Sequence, residues 1–507
     1  MAKSHPNVLL LFSDQHQASV LGCEGHPDIR TPHIDSLAAS GTRFTRGYCQ
    51  NAICVPSRSS LFSGLYPRTL GCYMNMDRSS VMEEVVSLPA AFQRAGYHTA
   101  AFGKRHLESG CDAGWVEQAS HFIKESPDDN YVSWINDQGL GEAFDRDWGA
   151  EFAHGAEGWV TETKKLPISP MSQHVTELTP ETTMEAWTRR RTVDFIHSRS
   201  GKDQPFFCWA SFYRPHQPYT PLKEFYDRFD RSHWGSGRNK GDGLAMPASM
   251  RQDPATMPPV FRELLGGSNQ VWPVDQARKN EQIYRDIIAG YYALVEEIDD
   301  HVGSILKALK DSGQFDDTII IYASDHGDFV GAHGMVEKCS AGHNVYEETV
   351  RVPLILHWRN HIAEGRVNQS LVELVDLYPT LLDLCGVPIP TDTPFPLAGQ
   401  SLAYDLLNGK KSGRPFVITE NAVQSTIITE RYKLGVWQET RGAFHRNFYG
   451  LDDMLFDRVE DPYEMHNRIG DPVLLEVEKE LRCQLAKWEA KIPSAPPESM
   501  WEERNGA

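Results

Sequence analysis

Four apolar runs punctuate this chain, and each stops abruptly at a cluster of polar residues. Residues 7–13 run into Asp14-Gln15-His16, residues 97–102 into Gly103-Lys104-Arg105-His106, residues 206–213 into Arg214-Pro215-His216-Gln217-Pro218, and residues 318–323 into Ser324-Asp325-His326-Gly327. Short continuous apolar runs bounded by turn signals read as strands buried on both faces. Helix signatures lie between them: Thr31-Pro32 opens a helix through Ala39 that Gly41 closes, and residues 87–95 end at Gly96. The segment 276–311 carries Ile283, Ile287, Tyr291, Leu294, Ile298, Val302, Ile305 and Leu309 at spacings of three and four, the stripe of an amphipathic helix lying on a sheet. Residues 352–358 add a strand, and 374–384 a helix closed by Gly386. The alternation predicts an α/β fold, a large and mostly parallel sheet flanked by helices.

From about residue 401 the rhythm changes. Residues 416–420, 426–429, 432–437 and 454–457 read as short strands with no helix between them, and 472–492 as a terminal helix. The expected division is a main domain over 1–400 and a C-terminal α+β subdomain over 401–507, a smaller antiparallel sheet with one helix docked on it. The stretches 112–180 and 228–275, rich in Trp, Gly, Pro and Asp and weakly periodic, read as insertions that shape a pocket.

A chain of 507 residues with 40% hydrophobic and 23% charged residues has the composition of a soluble globular protein with a large core. Its formal net charge of -19 argues against nucleic acid, heparin-like partners or an anionic membrane as general ligands. An anionic substrate must therefore be drawn by local charge, and residues 36–82 hold Arg43, Arg46, Arg58, Arg68 and Arg78 against only Asp77. The 9 cysteines, spread from Cys23 to Cys483, form neither a C-x-x-C pair nor a disulfide framework, which fits a reducing compartment. The run 8–12 is too short for a signal-peptide core or a membrane span, so a cytoplasmic location is expected. The sequence leaves the oligomeric state open.

One short motif stands apart from the strand rhythm: Cys54-Val55-Pro56-Ser57-Arg58. Pro56 suits the first turn of a helix, and no further breaker follows until Gly64, so residue 54 is expected just before a helix N-terminus. Backbone N–H groups and the positive end of the helix dipole favour an anion such as sulfate or phosphate there. Arg58, one turn on, adds a fixed charge and a forked donor. The plain alternative is a half-buried cysteine before an ordinary helix. The strand ends supply what such a helix start lacks. Asp14 and Asp325, with Gln15 and His326, are side chains able to hold a divalent cation, which would bind one oxygen of a tetrahedral oxyanion and polarise its central atom. Taken singly, a histidine after a strand is more often a cap or a core residue.

These residues together resemble the type I sulfatase family, within the alkaline phosphatase superfamily. Cys54–Arg58 matches the C-x-P-S-R signal that directs oxidation of its cysteine to Cα-formylglycine, the nucleophile of those enzymes. The resemblance runs through most of residues 6–400 on Asp14-Gln15, the Cys54 motif extended by residues 61–64, Gly103-Lys104-Arg105-His106, Pro215-His216-Gln217-Pro218, Ser324-Asp325-His326-Gly327 and Lys338. It continues into Leu455-Phe456-Asp457 and Asp461-Pro462-Tyr463-Glu464, which look like the family's closing strand and turn. It implies Asp14, Gln15, Asp325 and His326 as metal ligands together with the formylglycine derived from Cys54. It implies Arg58, Lys104, His106, His216 and Lys338 around the nucleophile and the sulfate, and Asn75 as a substrate contact from the loop after the helix. The implied cation is Ca2+, which suits the hard oxygen donors, while His326 makes Mn2+ or Zn2+ more acceptable and Mg2+ also belongs to the set. The implied partners are a small-molecule or saccharide sulfate ester and a formylglycine-generating or equivalent maturation enzyme.

Three departures from the family pattern matter. Gln15 stands where many sulfatases carry a second Asp, His326 where they carry Asn, and Arg105 where Trp is usual. The Asp-Gln and Asp-His pairs occur in relatives that include choline sulfatases and phosphonate monoester hydrolases, whereas Lys104 with His106 looks like a sulfatase. A thiol has no easy route to release a transferred group, but a hydrated aldehyde has one: its first hydroxyl attacks sulfur, and deprotonation of the second ejects sulfate. His106 is read as the base of that second step, His216 beside Lys338 as the acid for the leaving oxygen, and Arg58 and Lys104 as stabilising the charge in transfer. The expected activity is hydrolysis of a sulfate monoester of a sugar or other small alcohol. Two alternatives stay open: a phosphonate monoester or phosphodiester hydrolase of the same superfamily, and an inactive carbohydrate-binding relative in which Cys54 stays a thiol. Trp115, Trp134, Trp148 and Trp159 are candidates either for stacking on sugar rings or for the core.

Overall fold

The computed structural model describes residues 5–75, 77, 79–107, 110–153, 174–258, 280–338, 345–409, 413–438 and 453–495. Among these, nine strands make the main sheet: β1 (Asn7–Asp14), β2 (Thr42–Tyr48), β3 (His98–Gly103), β4 (Glu117–Ala119), β5 (Phe206–Pro215), β6 (Thr318–Ser324), β7 (Arg351–His357), β8 (Arg366–Asn368) and β9 (Val372–Glu373). Their order is β8-β2-β7-β6-β1-β5-β3-β4, and β9 also pairs with β2. Only β7 runs against its neighbours β2 and β6, so the sheet is mixed but mostly parallel, as the alternation of strands and helices predicts. Every residue of β1, β5 and β6 is buried. Because β1, β3, β5 and β6 run in one direction, the polar clusters that end them arrive at one edge of the sheet.

The pleat of β1 divides the core between two layers. Val8, Leu10 and Phe12 face α2 (Cys54–Ser63), α3 (Leu88–Arg94) and α6 (Leu377–Leu384) through Leu61, Phe62, Phe92 and Leu381. Leu9 and Leu11 face the other way, onto α1 (Pro32–Ala39), α4 (Met184–Ser198) and α5 (Glu281–Asp311), where Ile34, Phe195, Ile298, Val302 and Ile305 meet them. α5 begins where Asn280 accepts a hydrogen bond from the Gln282 N–H, and its apolar stripe from Ile287 to Leu309 is buried while Ile283 is half-buried. The expected start of that helix, 276–279, lies outside the described residues. No helix among the described residues is long and apolar enough to cross a membrane.

The second sheet is antiparallel and holds β10 (Val417–Glu420), β11 (Gln424–Ile428), β12 (Tyr432–Trp437) and β13 (Met454–Asp457). α7 (Leu475–Lys491) docks on it through Leu481, Leu485 and Trp488 against Ile418, Ile427, Leu434 and Leu455. Leu402, Ala403 and Leu406 pack into the main apolar layer, as do Val417 and Ile428 of the smaller sheet. Two of the tryptophans offered for sugar stacking pack on the core, Trp148 buried and Trp115 half-buried. Trp148 is 2% exposed, and Trp115 stacks on Phe207 and Trp209. Trp134 is half-buried with the Arg190 guanidinium over its ring, and Trp159 lies outside the described residues.

The two sheets meet at a buried ion cluster. Lys433 on β12, fully buried, donates to Val345 O at 2.8 Å and pairs with Glu464 at 2.6 Å and Glu347 at 3.2 Å. Arg458 joins Glu347 at 2.7 Å and the Tyr48 hydroxyl of β2 at 2.6 Å. Burial opposes the charge on Glu347, but Arg458, Lys433 and Arg351 outweigh it and hold its carboxyl well below the usual range. Removing one member of such a cluster strands the others without water. Lys433→Met is therefore expected to lower unfolding stability by about 3–5 kcal/mol. Arg94→Ala, which removes an exposed pair with Asp392, is expected to cost at most about 1 kcal/mol. Chemical denaturation of both variants checks this, and equal losses would contradict it.

Candidate active site

The helix carrying the short motif opens one residue earlier than expected. Ile53 is the N-cap residue, Cys54 the first helical residue, and all of α2 is buried. Ile53 offers no side-chain cap, and the loop that follows the helix compensates: Asn75 Oδ1 accepts the Val55 N–H at 3.0 Å. Asn75 Oδ1 thus serves the helix start. Ser57 Oγ donates to Asp325 O at 2.5 Å, tying α2 to the end of β6. Cys54 Sγ lies 3.3 Å from His326 Nε2, 3.8 Å from Asp14 Oδ1 and 3.9 Å from Lys104 Nζ. Burial and then Asp14 push its thiol up to about 12. As a cysteine, residue 54 holds its proton and is a poor nucleophile.

Asp14 and Asp325 end adjacent strands, fully buried, and Arg58 spans them. Its Nη2 donates to Asp14 Oδ2 at 2.8 Å and its Nε to Asp325 Oδ2 at 2.7 Å. Its Nη1 reaches Lys104 O at 2.8 Å, Arg105 O at 3.2 Å and Ser211 Oγ at 3.1 Å. The structure thus places the Arg58 guanidinium on the two carboxylates and on the backbone of Lys104 and Arg105. Of the other arginines in that basic stretch, Arg43 pairs with Glu24, Arg46 with Glu430 and Arg68 with Glu489, away from the site, while Arg78 lies outside the described residues. Lys104 Nζ sits 2.6 Å from Asp14 Oδ2 and 4.1 Å from the Tyr213 ring centroid. Burial works against the charge of Asp14, but Lys104, His216, Arg58 and His326 overcome it and hold the carboxyl well below the usual range.

His326 is fixed by its own backbone. Nδ1 bonds Gly327 O at 2.9 Å, which leaves Nε2 facing Cys54. Asp325 Oδ1 accepts the N–H groups of Gln15 at 3.0 Å and His326 at 2.9 Å. One ligand atom from each of Asp14, Cys54, Asp325 and His326 lies within 4.8 Å of the others, all buried. Two carboxylate oxygens, an imidazole nitrogen braced from behind and position 54 make a donor set that fits one divalent cation. Gln15, held at a positive φ of 67°, sends Nε2 to Gln217 Oε1 at 2.9 Å and Asp328 Oδ2 at 2.7 Å, while its Oε1 accepts from Lys338 Nζ at 2.7 Å.

Lys338 pairs with Glu337 at 2.8 Å and lies 3.3 Å from His216 Nε2, whose ring is braced by Nδ1 on Gln217 O at 2.8 Å. Burial, with Lys338 and Lys104, drives the His216 imidazole well below its ordinary range. Lys338 is the proton carrier of the pair, and His216 Nε2 is its acceptor. His106, at φ 47°, is likewise pressed down by burial, Lys104 and Arg58. Its backbone N–H and that of Arg105 are bound by Glu125, at 2.8 and 3.1 Å. Arg105, the departure from the usual Trp, is buried and turns to Asp112 at 3.0 Å, which also accepts the Trp115 indole N–H at 2.9 Å. Glu125, Glu337 and Asp328 escaped the sequence reading. Asp328 and Glu337 stand within two residues of motif positions, but Glu125 sits in an insertion with no local signal.

The sulfatase family model matches residues 6–387. The chain belongs to the sulfatase family. It is a hydrolase acting on sulfuric ester bonds. A second model, N-sulphoglucosamine sulphohydrolase, C-terminal, matches residues 331–491 of this sulfatase, which includes the smaller sheet. The uncharacterized sulfatase YidJ of Escherichia coli is 26% identical to it over 498 residues, covering 96% of this chain and 88% of that protein. N-acetylglucosamine-6-O-sulfatase of Bacteroides thetaiotaomicron is 24% identical, covering 97% and 88%. Among solved structures, a phosphonate monoester hydrolase of Agrobacterium radiobacter superposes with a TM-score of 0.76 at 24% identity and 96% coverage of both chains, a likeness of fold.

Glu125 yields a test of this geometry. Glu125→Ala leaves two backbone N–H groups of the turn carrying Lys104 and His106 without their acceptor, at a cost of about 1–3 kcal/mol each. Turnover of an aryl sulfate is expected to fall about tenfold or more as that turn loosens. Wild-type turnover in a folded variant would show that the turn holds itself.

Proposed function

We propose that Cys54 is converted to Cα-formylglycine and that a divalent cation is held by Asp14, Asp325, His326 and residue 54, with Gln15 as a further ligand. The proposed substrate is a sulfate monoester of a sugar or other small alcohol. The convergence of Asp14, His326 and Lys104 on Cys54 Sγ at 3.3–3.9 Å carries this reading. Asp14 and Asp325 are balanced in charge by Arg58 and Lys104, and Lys338 by Glu337, which leaves Asp328 as the one carboxyl in excess. A divalent cation makes it net positive inside a chain of formal charge -19, which suits an anionic substrate. The carboxylate oxygens favour Ca2+, and His326 extends the choice to Mn2+, Mg2+ or Zn2+. When bound, the cation supplies polarisation of the sulfuryl group. Formylglycine supplies a hydrated aldehyde, one hydroxyl to attack sulfur and a second whose deprotonation expels sulfate.

The chain's own residues supply the rest. Lys104, between Asp14 and residue 54, offers its ammonium to the charge on the group in transfer. Arg58 acts one step back, holding both carboxylates in place. The His216–Lys338 pair protonates the leaving oxygen, with the proton carried on Lys338, and His106 takes the proton in the release step. The likeness to an N-acetylglucosamine-6-O-sulfatase supports a sugar substrate. A phosphonate monoester or phosphodiester hydrolase is the second reading, favoured by Gln15 and His326, and opposed by Lys104 with His106. Kinetics on sulfate and phosphonate monoesters side by side separates them. The mass of the peptide containing residue 54 distinguishes thiol from aldehyde, and a thiol in active enzyme would defeat the first proposal.

Cys54→Ser is expected to stop after at most one transfer, since a lone hydroxyl leaves no second hydroxyl to expel sulfate. Quench-flow counting of product per site checks this, and many turnovers would contradict it. His216→Ala is expected to slow sugar or alkyl sulfates by about 10²–10⁴ and aryl sulfates far less, because phenolates leave without a proton. His106→Ala should slow both classes alike and trap sulfated enzyme. A series of aryl sulfates of graded leaving-group pKa plus one sugar sulfate reads the difference. Unchanged leaving-group dependence in His216→Ala would assign the acid role to Lys338 alone.

A further inference from the structure

Residue 15 is an amide in this chain, and the atoms around it explain why. Asp328, fully buried, is fixed by two backbone donors: its Oδ1 accepts the N–H groups of Val330 at 2.7 Å and Glu337 at 2.9 Å. Its Oδ2 faces Gln15 Nε2 at 2.7 Å and also accepts the Tyr219 hydroxyl at 3.1 Å. Gln217 Oε1 presents a second acceptor to the same nitrogen at 2.9 Å. Oδ1 accepts two backbone N–H groups and Oδ2 the Tyr219 hydroxyl, so both Asp328 oxygens serve as acceptors and the atom of residue 15 that meets Oδ2 must be a donor. That forces Gln15 Oε1 to the opposite side, where it meets Lys338 Nζ, a group that only donates, at 2.7 Å. A glutamate at 15 would keep the Lys338 contact with one oxygen but press the other against Asp328 Oδ2 inside a buried pocket, acceptor against acceptor. From these contacts we infer that Asp328 is a positioning residue: it sets the polarity of the Gln15 amide, directs Gln15 Oε1 toward the active centre, and makes an amide, not a carboxylate, the required residue at 15. The part of this inference that concerns the cation rests on the metal reading proposed above.

The pairing has a chemical inverse, which makes it testable. In Asp328→Asn the new amide keeps its oxygen on the Val330 and Glu337 N–H groups and turns its nitrogen toward Gln15, donor against donor. In Gln15→Glu the new carboxylate faces Asp328, acceptor against acceptor. In the double variant the amide at position 328 donates to the carboxylate at position 15, which still accepts from Lys338, so the contact between the two positions is remade with its direction reversed, while Gln217 turns its amide and the Tyr219 hydroxyl its proton to follow.

The experiment is a double-mutant cycle on the full chain with two readouts. Melting in chelator reports the pairing itself, and calorimetric titration of the stripped proteins with Ca2+ and with Mn2+ reports its service to the cation. Each single variant is expected to melt below wild type and to bind the cation about ten- to a hundredfold more weakly. The double variant is expected to melt above either single variant and to recover affinity to within about threefold of wild type. Additive losses in the double variant, or wild-type affinity in Asp328→Asn, would overturn the inference. Should wild type bind neither ion, the metal reading fails, while the melting cycle in chelator still decides the pairing by recovery or additivity.

Discussion

Arg58 is the interaction on which this active site depends. Two carboxylates brought side by side at the ends of β1 and β6, out of water, repel each other and each lose several kcal/mol of hydration. The guanidinium answers both with one rigid fork and returns its remaining donors to the backbone at Lys104 and Arg105, so that α2, β1, β3 and β6 are locked by one side chain. A lysine in its place would offer a point charge and lose the spanning geometry. The consequence for catalysis is indirect, since the carboxylates are held ready at fixed separation before any cation or substrate arrives.

Much of this was legible in the amino-acid sequence because strand and site share a signal. A run such as Leu9-Leu10-Leu11-Phe12 announces a strand buried on both faces, and the polar residues that end it can only stand at the sheet edge. Tyr432–Trp437 and Met454–Asp457 were readable to the residue as short strands with no helix between them. Boundaries drifted where the cap is not local: α2 starts at Cys54, not after it, because its cap comes from Asn75, a loop away. Positions fixed by tertiary partners were opaque. Nothing near Arg58 in the chain says that its guanidinium faces Asp14 and Asp325, and nothing near Glu125 says that it holds the turn at Arg105 and His106. Trp148 looked as suited to a pocket as to a core until its burial decided.

The departures from the family pattern also make sense only in three dimensions. The Arg105 side chain is a tether, joining its turn to Asp112 and so to Trp115, which stacks on Phe207 and Trp209. Gln15 and His326 differ from this. Both have one polar atom fixed from behind, by Asp328 and by the Gly327 carbonyl, so that the atom facing the site is chosen by a neighbour and not by rotation. A site built this way keeps its geometry without spending side-chain entropy at the moment of binding.

The complete burial of α2 has a consequence for time order. If residue 54 is oxidised by another protein, that protein must reach the Cys54 side chain, yet in the finished fold Cys54 to Ser63 are buried with Arg58 bound to two acids. Reaching Cys54 again would mean withdrawing the helix from the core, a cost of the order of unfolding the domain. Modification and folding are therefore competitors for the same segment, and a molecule that folds first is excluded from the other path. On the proposed conversion of Cys54, the fraction of active enzyme in a preparation would record the outcome of a race between two rates, and conditions that delay closure of the sheet around α2 would favour the modified product.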